Sequence, residues 1–165
     1  MRDRDQEERA MANMFDKYFI CDETFCNLEE DGKITGFQIG IKVSYYRGVN
    51  LAIVDDYEVE VDGQRYPKEQ IHFTLRDIPY TYEEMRGRTD VHWDFGEIAY
   101  LRVEKEGGLP DGQHTVKVHE AVRIVNGMNI PPVMFCANWE KKIMLMPPVK
   151  VPPRIRRGVS FYSYQ

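Results

Sequence analysis

The sequence predicts an all-β domain, an antiparallel β-sandwich of jelly-roll-like type with a short N-terminal arm and a Pro-rich C-terminal arm. Three observations predict it. Phe37, Ile39, Ile41 and Val43 alternate with Gln38, Gly40, Lys42 and Ser44, the period-two signature of a strand with one buried and one solvated face. Asp31-Gly32, Asp62-Gly63 and Asp111-Gly112 punctuate the patterned runs, and Asp-Gly suits the positive φ angles of tight hairpins. No stretch has the 3.6-residue period of a long amphipathic helix.

At 165 residues the chain reads as one domain over 15–146, with a charged extension over 1–14 and an arm over 147–165. That length buries a core without disulfides. A net charge of −5 argues against duplex nucleic acid, which needs a concentrated basic face. Cys21, Cys26 and Cys136 are odd in number and lack CxxC spacing, which predicts reduced thiols. No apolar run approaches the roughly 20 residues of a membrane span, and the charged N-terminus does not resemble a secretory signal. The expected compartment is the cytoplasm, with no membrane association.

The elements follow in order. Residues 15–28 hold one or two short strands, and Asp31-Gly32 turns the chain into the long strand at Phe37. In 52–61, Tyr57, Val59 and Val61 alternate with Glu58 and Glu60; Asp62-Gly63 closes the hairpin, and 71–75 is the return. Residues 76–96 are the least regular, with one helical turn expected around 81–86. A strand over 98–103 precedes Pro110-Asp111-Gly112, where proline presets φ, aspartate caps and glycine takes the left-handed position. The longest strand is expected over 114–124, followed by strands over 134–139 and 143–146. From Pro147 the chain carries two Pro-Pro pairs and four basic residues without an acid, an extended arm.

Candidate functional groups are few. His114 and His119 fall on opposite faces of one strand, and His72 and His92 sit in separate elements, so no metal site is expected in this chain. Glu120 shares strand parity with Val116, Val118, Val122 and Ile124. An inward carboxylate there must be paired, unless a β-bulge turns it to solvent. The acids and arginines of 83–97 offer carboxylates for acid/base chemistry, although a charge-rich loop is ordinarily just solvated. Tyr45, Tyr46 and Arg47 follow a well-patterned strand, and Trp93 and Phe95 bracket Asp94. Aromatics and arginine at loop tips are the raw material of interface hot spots, so these five residues are the expected partner interface or substrate entrance, while the Trp93 and Phe95 pair also reads as a loop that anchors itself by aromatic burial. Phe161, Tyr162 and Tyr164 extend the aromatic inventory into the tail.

Several segments look familiar in their order and spacing: 15–21 (FDKYFIC), Gly36-Phe37-Gln38, Tyr45-Tyr46-Arg47-Gly48-Val49, 58–63 (EVEVDG), Trp93-Asp94-Phe95-Gly96, Gly107-Gly108-Leu109 and Gly112-Gln113-His114. Over 14–124 the chain resembles the β subunits of bacterial C-glycoside deglycosidases. The resemblance implies a β-sandwich bound to a larger TIM-barrel α subunit, which would hold a divalent metal, manganese being expected, and the acid/base residues. The complex would cleave the carbon–carbon bond between sugar and aromatic aglycone of a 3-oxo-C-glycoside. The extension before Met14 and the Pro-rich end fall outside the pattern. On the residues alone, two other classes stay open: a free-standing carbohydrate-binding β-sandwich, and a small enzyme using carboxylates such as Glu120.

Overall fold

The computed structural model describes residues 19–124 and 131–152. Among the described residues twelve strands and one short α-helix follow in order: β1 (Ile20–Glu30), β2 (Lys33–Ile41), β3 (Val49–Asn50), β4 (Val54–Val61), β5 (Gln64–Arg65), β6 (Ile71–Leu75), β7 (Ile78–Tyr80), α1 (Tyr82–Arg86), β8 (His92–Trp93), β9 (Ala99–Glu104), β10 (Gln113–Ile124), β11 (Val133–Met144) and β12 (Met146–Lys150). One sheet has the order β12-β1-β2-β9-β6-β7, a second β11-β10-β4-β5, and β3 pairs with β8. The two larger sheets enclose one apolar core, as expected of an all-β sandwich.

The alternation read from the sequence becomes an inner layer. Phe37, Ile39 and Ile41 of β2, Tyr57, Val59 and Val61 of β4, and Val116, Val118 and Val122 of β10 are all buried. Asp31 and Asp62 take positive φ with the glycines that follow them, giving the primed turns that match strand twist. The helical turn is held by a capping box: Thr81 Oγ1 accepts from the Glu84 N–H, and the Glu84 carboxylate accepts from the Thr81 N–H. This satisfies two of the donors a helix start leaves open.

Three details differ from expectation. The strands expected over 134–139 and 143–146 are one continuous β11, because Glu140, Lys141 and Lys142 lie on an edge strand where both faces reach solvent. The start of the Pro-rich segment forms β12, which pairs parallel with β1, so the sheet is not wholly antiparallel. A sheet edge tolerates the missing N–H groups of Pro147 and Pro148. The third is the β6–β7 turn, which has no glycine. Arg76 and Asp77 carry its positive φ angles of 51° and 64°. The extension over 1–14 and the tail aromatics lie outside the described residues, as does the arm from 153 onward.

Buried polar groups tie the periphery to this frame. The Asn27 amide donates to the Leu109 carbonyl at 2.8 Å and accepts from the Leu109 N–H at 2.9 Å. His114 is buried between the Asp62 carboxylate and the Pro110 carbonyl. Burial pushes its pKa down, but those two hydrogen bonds outweigh it and leave the net shift upward. Cys21 and Cys26 are buried free thiols whose pKa values burial raises, and Cys136 is an exposed one.

Candidate partner-facing site

The fold brings together the two segments singled out in the sequence. The loop after β2 leads into β3 and the loop at Asp94 leaves β8; the β3–β8 pairing sets Val49 against Trp93 and Asn50 against His92. Gly48 is the close-approach point. A Cβ there would stand 2.8 Å from the Trp93 carbonyl oxygen, 3.2 Å from the Asp94 Cα and against the His92 ring, so only glycine lets the loops touch.

The aromatic side chains separate into two groups. Tyr46 and Phe95 are 55% and 62% exposed, and the Arg47 guanidinium stacks 4.9 Å from the Tyr46 ring centroid. Tyr45 is half-buried against the core, with ring centroids 4.3 Å from Tyr46 and 5.6 Å from Phe135. Trp93 differs from its sequence reading as an interface side chain. It is wholly buried, edge-on to Phe73 at 5.1 Å, with its indole N–H donating to the Glu97 carbonyl. The β8 pairing turns its ring inward, so its contribution is to packing.

Glu97 organises the loop beyond Trp93. Its Oε1 accepts from the Asp94 N–H at 3.1 Å and from Arg76 at 2.8 Å, and Arg76 also donates to the His92 carbonyl. The unusual αL conformation of Arg76 is thus compensated by a guanidinium that clamps the neighbouring loop. The other acids of this region are also engaged: Glu84 in the capping box, Asp90 with Arg88, Glu83 with Arg86, and Asp94 with Arg76 and His92. The arrangement is that of a loop held in shape by its own charges.

Glu120 points into the core. It is fully buried, opposite Tyr57 on β4 and Ala137 on β11. The bulge considered for it lies instead on β4. Ala121 pairs with Asp56 and Val122 with Val54, leaving Asp55 as the extra residue. That bulge turns Asp55 off the core face, where it meets Arg123 at 3.6 Å, and leaves Glu120 inside. Glu120 Oε1 accepts from the Ser44 N–H at 3.1 Å and from the Ser44 hydroxyl at 2.9 Å, while Oε2 and the Tyr57 hydroxyl have no hydrogen-bond partner among the described residues. Burial pushes the Glu120 pKa up to about 8, against the lowering effect of the two Ser44 bonds. Ser44 immediately precedes Tyr45 in the loop that follows β2, so the buried carboxylate and the tyrosine pair form one structural unit.

Sequence reasoning missed the contribution of β11 and β12. Of the exposed large apolar residues, Val133, Met134, Phe135, Met144, Met146 and Val149 all lie on these two edge strands. The available signal was the Val133-Met134-Phe135 run, apolar on both strand faces. A shallow concavity lined by Glu58, Glu60, Lys117, His119, Asn138 and Glu140 lies on the four-stranded sheet. Its charges pair internally, Lys117 with Glu60 at 3.3 Å and with Glu140 at 3.9 Å. Among the described residues no three His, Cys, Asp or Glu side chains come together as metal ligands, and no helix is long and apolar enough to cross a membrane.

Fold and loops together define a small β-sandwich that presents an aromatic–arginine loop anchored on a buried acid. Comparison with known proteins agrees in family. The model of the C-glycoside deglycosidase beta subunit family matches residues 15–125. A C-glycoside deglycosidase beta subunit from Eubacterium cellulosolvens is 41% identical over 103 residues, covering 62% of this chain and 70% of that protein. A second, from Arthrobacter globiformis, is 23% identical over 114 residues, 67% of this chain and 86% of that one. The chain belongs to the C-glycoside deglycosidase beta subunit family.

Proposed function

We propose that this chain is the small subunit of a C-glycoside deglycosidase complex, seated on a larger TIM-barrel α subunit through the Tyr45–Gly48 loop with help from Phe95. Its family membership carries the reading. The substrate class is a 3-oxo-C-glycoside, cleaved by elimination between sugar and aromatic aglycone. A ketone at C3 acidifies the adjacent C–H, so a base can remove the proton while a divalent ion, manganese being the expected one, polarises oxygen. The base and the metal ligands are assigned to the α subunit. In this chain the charged groups of 83–97 are spent on loop architecture, which supports a positioning role over a catalytic one.

Two tests follow. The isolated chain is expected to show no deglycosidase activity and to regain it only when recombined with its α subunit; turnover by the isolated chain would refute the assignment. Tyr46→Ala with Arg47→Ala is expected to weaken assembly by about 2 kcal/mol or more, roughly 30-fold in Kd. Both side chains are exposed, so thermal unfolding of the isolated double variant should match the parent. Unchanged affinity would place the interface elsewhere.

A further inference from the structure

The Glu120–Ser44 clasp does more than satisfy a buried acid. The loop from Ser44 to Gly48 has no regular backbone ladder of its own until β3 begins at Val49. Its first residue is fixed from inside the core by two hydrogen bonds to a single carboxylate oxygen. The second oxygen is buried and, among the described residues, bare. A neutral carboxyl can stay there, whereas an ionised one, although it strengthens the two Ser44 bonds, keeps an unsolvated oxygen in an apolar layer, and burial outweighs those bonds; opening the overlying loop to water relieves that cost.

We propose that Glu120 positions the partner-binding loop through Ser44, and that ionisation of Glu120 releases the loop, so that assembly with the α subunit weakens as pH rises. This rests on the reading of the Tyr45–Gly48 loop as the interface. Of the groups around Glu120, His114 also titrates above its ordinary value, and it is kept in every variant compared, so the part of the pH dependence that Glu120→Gln removes belongs to Glu120. Across the strand pair on β4 the neighbour is the Tyr57 phenol, which burial pushes further up and keeps neutral. On β11 it is Ala137, and on the loop it is Ser44, followed by Tyr45, whose own pKa is raised by its hydrogen bond to Tyr46. Further along the same face of β10, His114 is engaged by Asp62 and Pro110. The inward residues of the opposite sheet, Phe37, Ile39, Ile41, Phe73 and Leu101 among them, are apolar.

The direction follows from linkage. The folded-state pKa is raised from the ordinary 4.5 to about 8, so folding favours the protonated form. Its contribution is fully present below about pH 4.5 and is lost as pH rises through about 8. In the window from pH 7 to 9.5 the population of ionised Glu120, and with it the open loop, increases.

The test compares the wild type, Glu120→Gln and Ser44→Ala in affinity for the cognate α subunit between pH 6.5 and 9.5. Glutamine keeps an acceptor for Ser44 without the titrating proton. Wild-type affinity is expected to fall by tenfold or more across the range, Glu120→Gln to stay flat near the pH 6.5 value, and Ser44→Ala to be weak throughout. A wild-type profile that is flat, or that Glu120→Gln follows in parallel, overturns the proposal. Amide exchange at residues 44–48 of the isolated chain tests the clasp without the partner. Wild type should exchange faster than Glu120→Gln at pH 9 and equally at pH 6.5; equal rates at both overturn it. If the exchange difference appears while the Tyr46/Arg47 double variant assembles normally, it is the placement of the interface that fails.

Discussion

Replacing Trp93 by alanine is expected to destabilise the chain by about 3–5 kcal/mol, more than any change at the exposed loop tips. The ring is fully buried, edge-on to Phe73, and its N–H is matched by the Glu97 carbonyl. Truncation removes this packing, opens a cavity between the β3–β8 ribbon and the six-stranded sheet, and leaves the Glu97 carbonyl without its donor. Urea unfolding should show a lower midpoint with an unchanged slope. Loss of assembly in this variant should track its loss of folded population, unlike the Tyr46/Arg47 variant, which should assemble poorly while fully folded. A Trp93→Ala chain with wild-type midpoint would mean that the ring is not core.

Gly108→Ala is expected to cost about 3 kcal/mol or more, combining αL strain with overpacking. Gly108 has φ of 62°, and a Cβ there would lie 2.5 Å from the Asn27 amide oxygen and 2.6 Å from Ile34 Cγ2. That amide grips the Leu109 backbone from 82 residues away, so relieving the clash breaks a buried pair of hydrogen bonds. Gly107→Ala is the internal control. It has a similar φ of 77° but nothing within 4 Å of its Cβ, and should cost only about 1 kcal/mol of conformational strain. Equal midpoint shifts for the two would show that the Asn27 contact is not what demands glycine.

These effects explain which parts of the molecule could be read in advance. Period-two alternation fixes which face of β2, β4 and β10 is inward, because a one-residue slip would expose the whole set. The Asp31-Gly32 and Asp62-Gly63 turns were legible because the dipeptide itself adopts the required φ; at Asp111-Gly112 only the glycine is positive, at 122°, and the chain passes from one sheet to the other instead of closing a hairpin. The Arg76-Asp77 turn was not, since its αL arginine is compensated by contacts with His92 and Glu97 that lie 16 and 21 residues away. The inward parity of Glu120 was visible; the bulge that decides its neighbours sits on β4, where Asp55-Asp56 reads as an ordinary pair of acids. For Trp93 an interface role and self-anchoring by aromatic burial were both open, and the burial holds; β8 is two residues long and gives no periodicity to choose between them. Of the segments that carry the resemblance, Gly48, Trp93 and Gly107-Gly108-Leu109 mark places where backbone segments touch or a ring fills the core.

The β11–β12 edge has a consequence for the life of the chain before it meets a partner. Among the described residues no strand pairs with the outer side of β11, and its ends carry Val133, Met134, Phe135 and Met144 in the open. An unpaired twelve-residue ladder with apolar ends is a template for adding strands from other molecules, and its charged residues, Glu140, Lys141 and Lys142, oppose that only in the C-terminal half. Overproduced alone, the chain should therefore reach a solubility ceiling set by this edge. Placing one lysine at Met134 should raise that ceiling while leaving the midpoint of unfolding where it was.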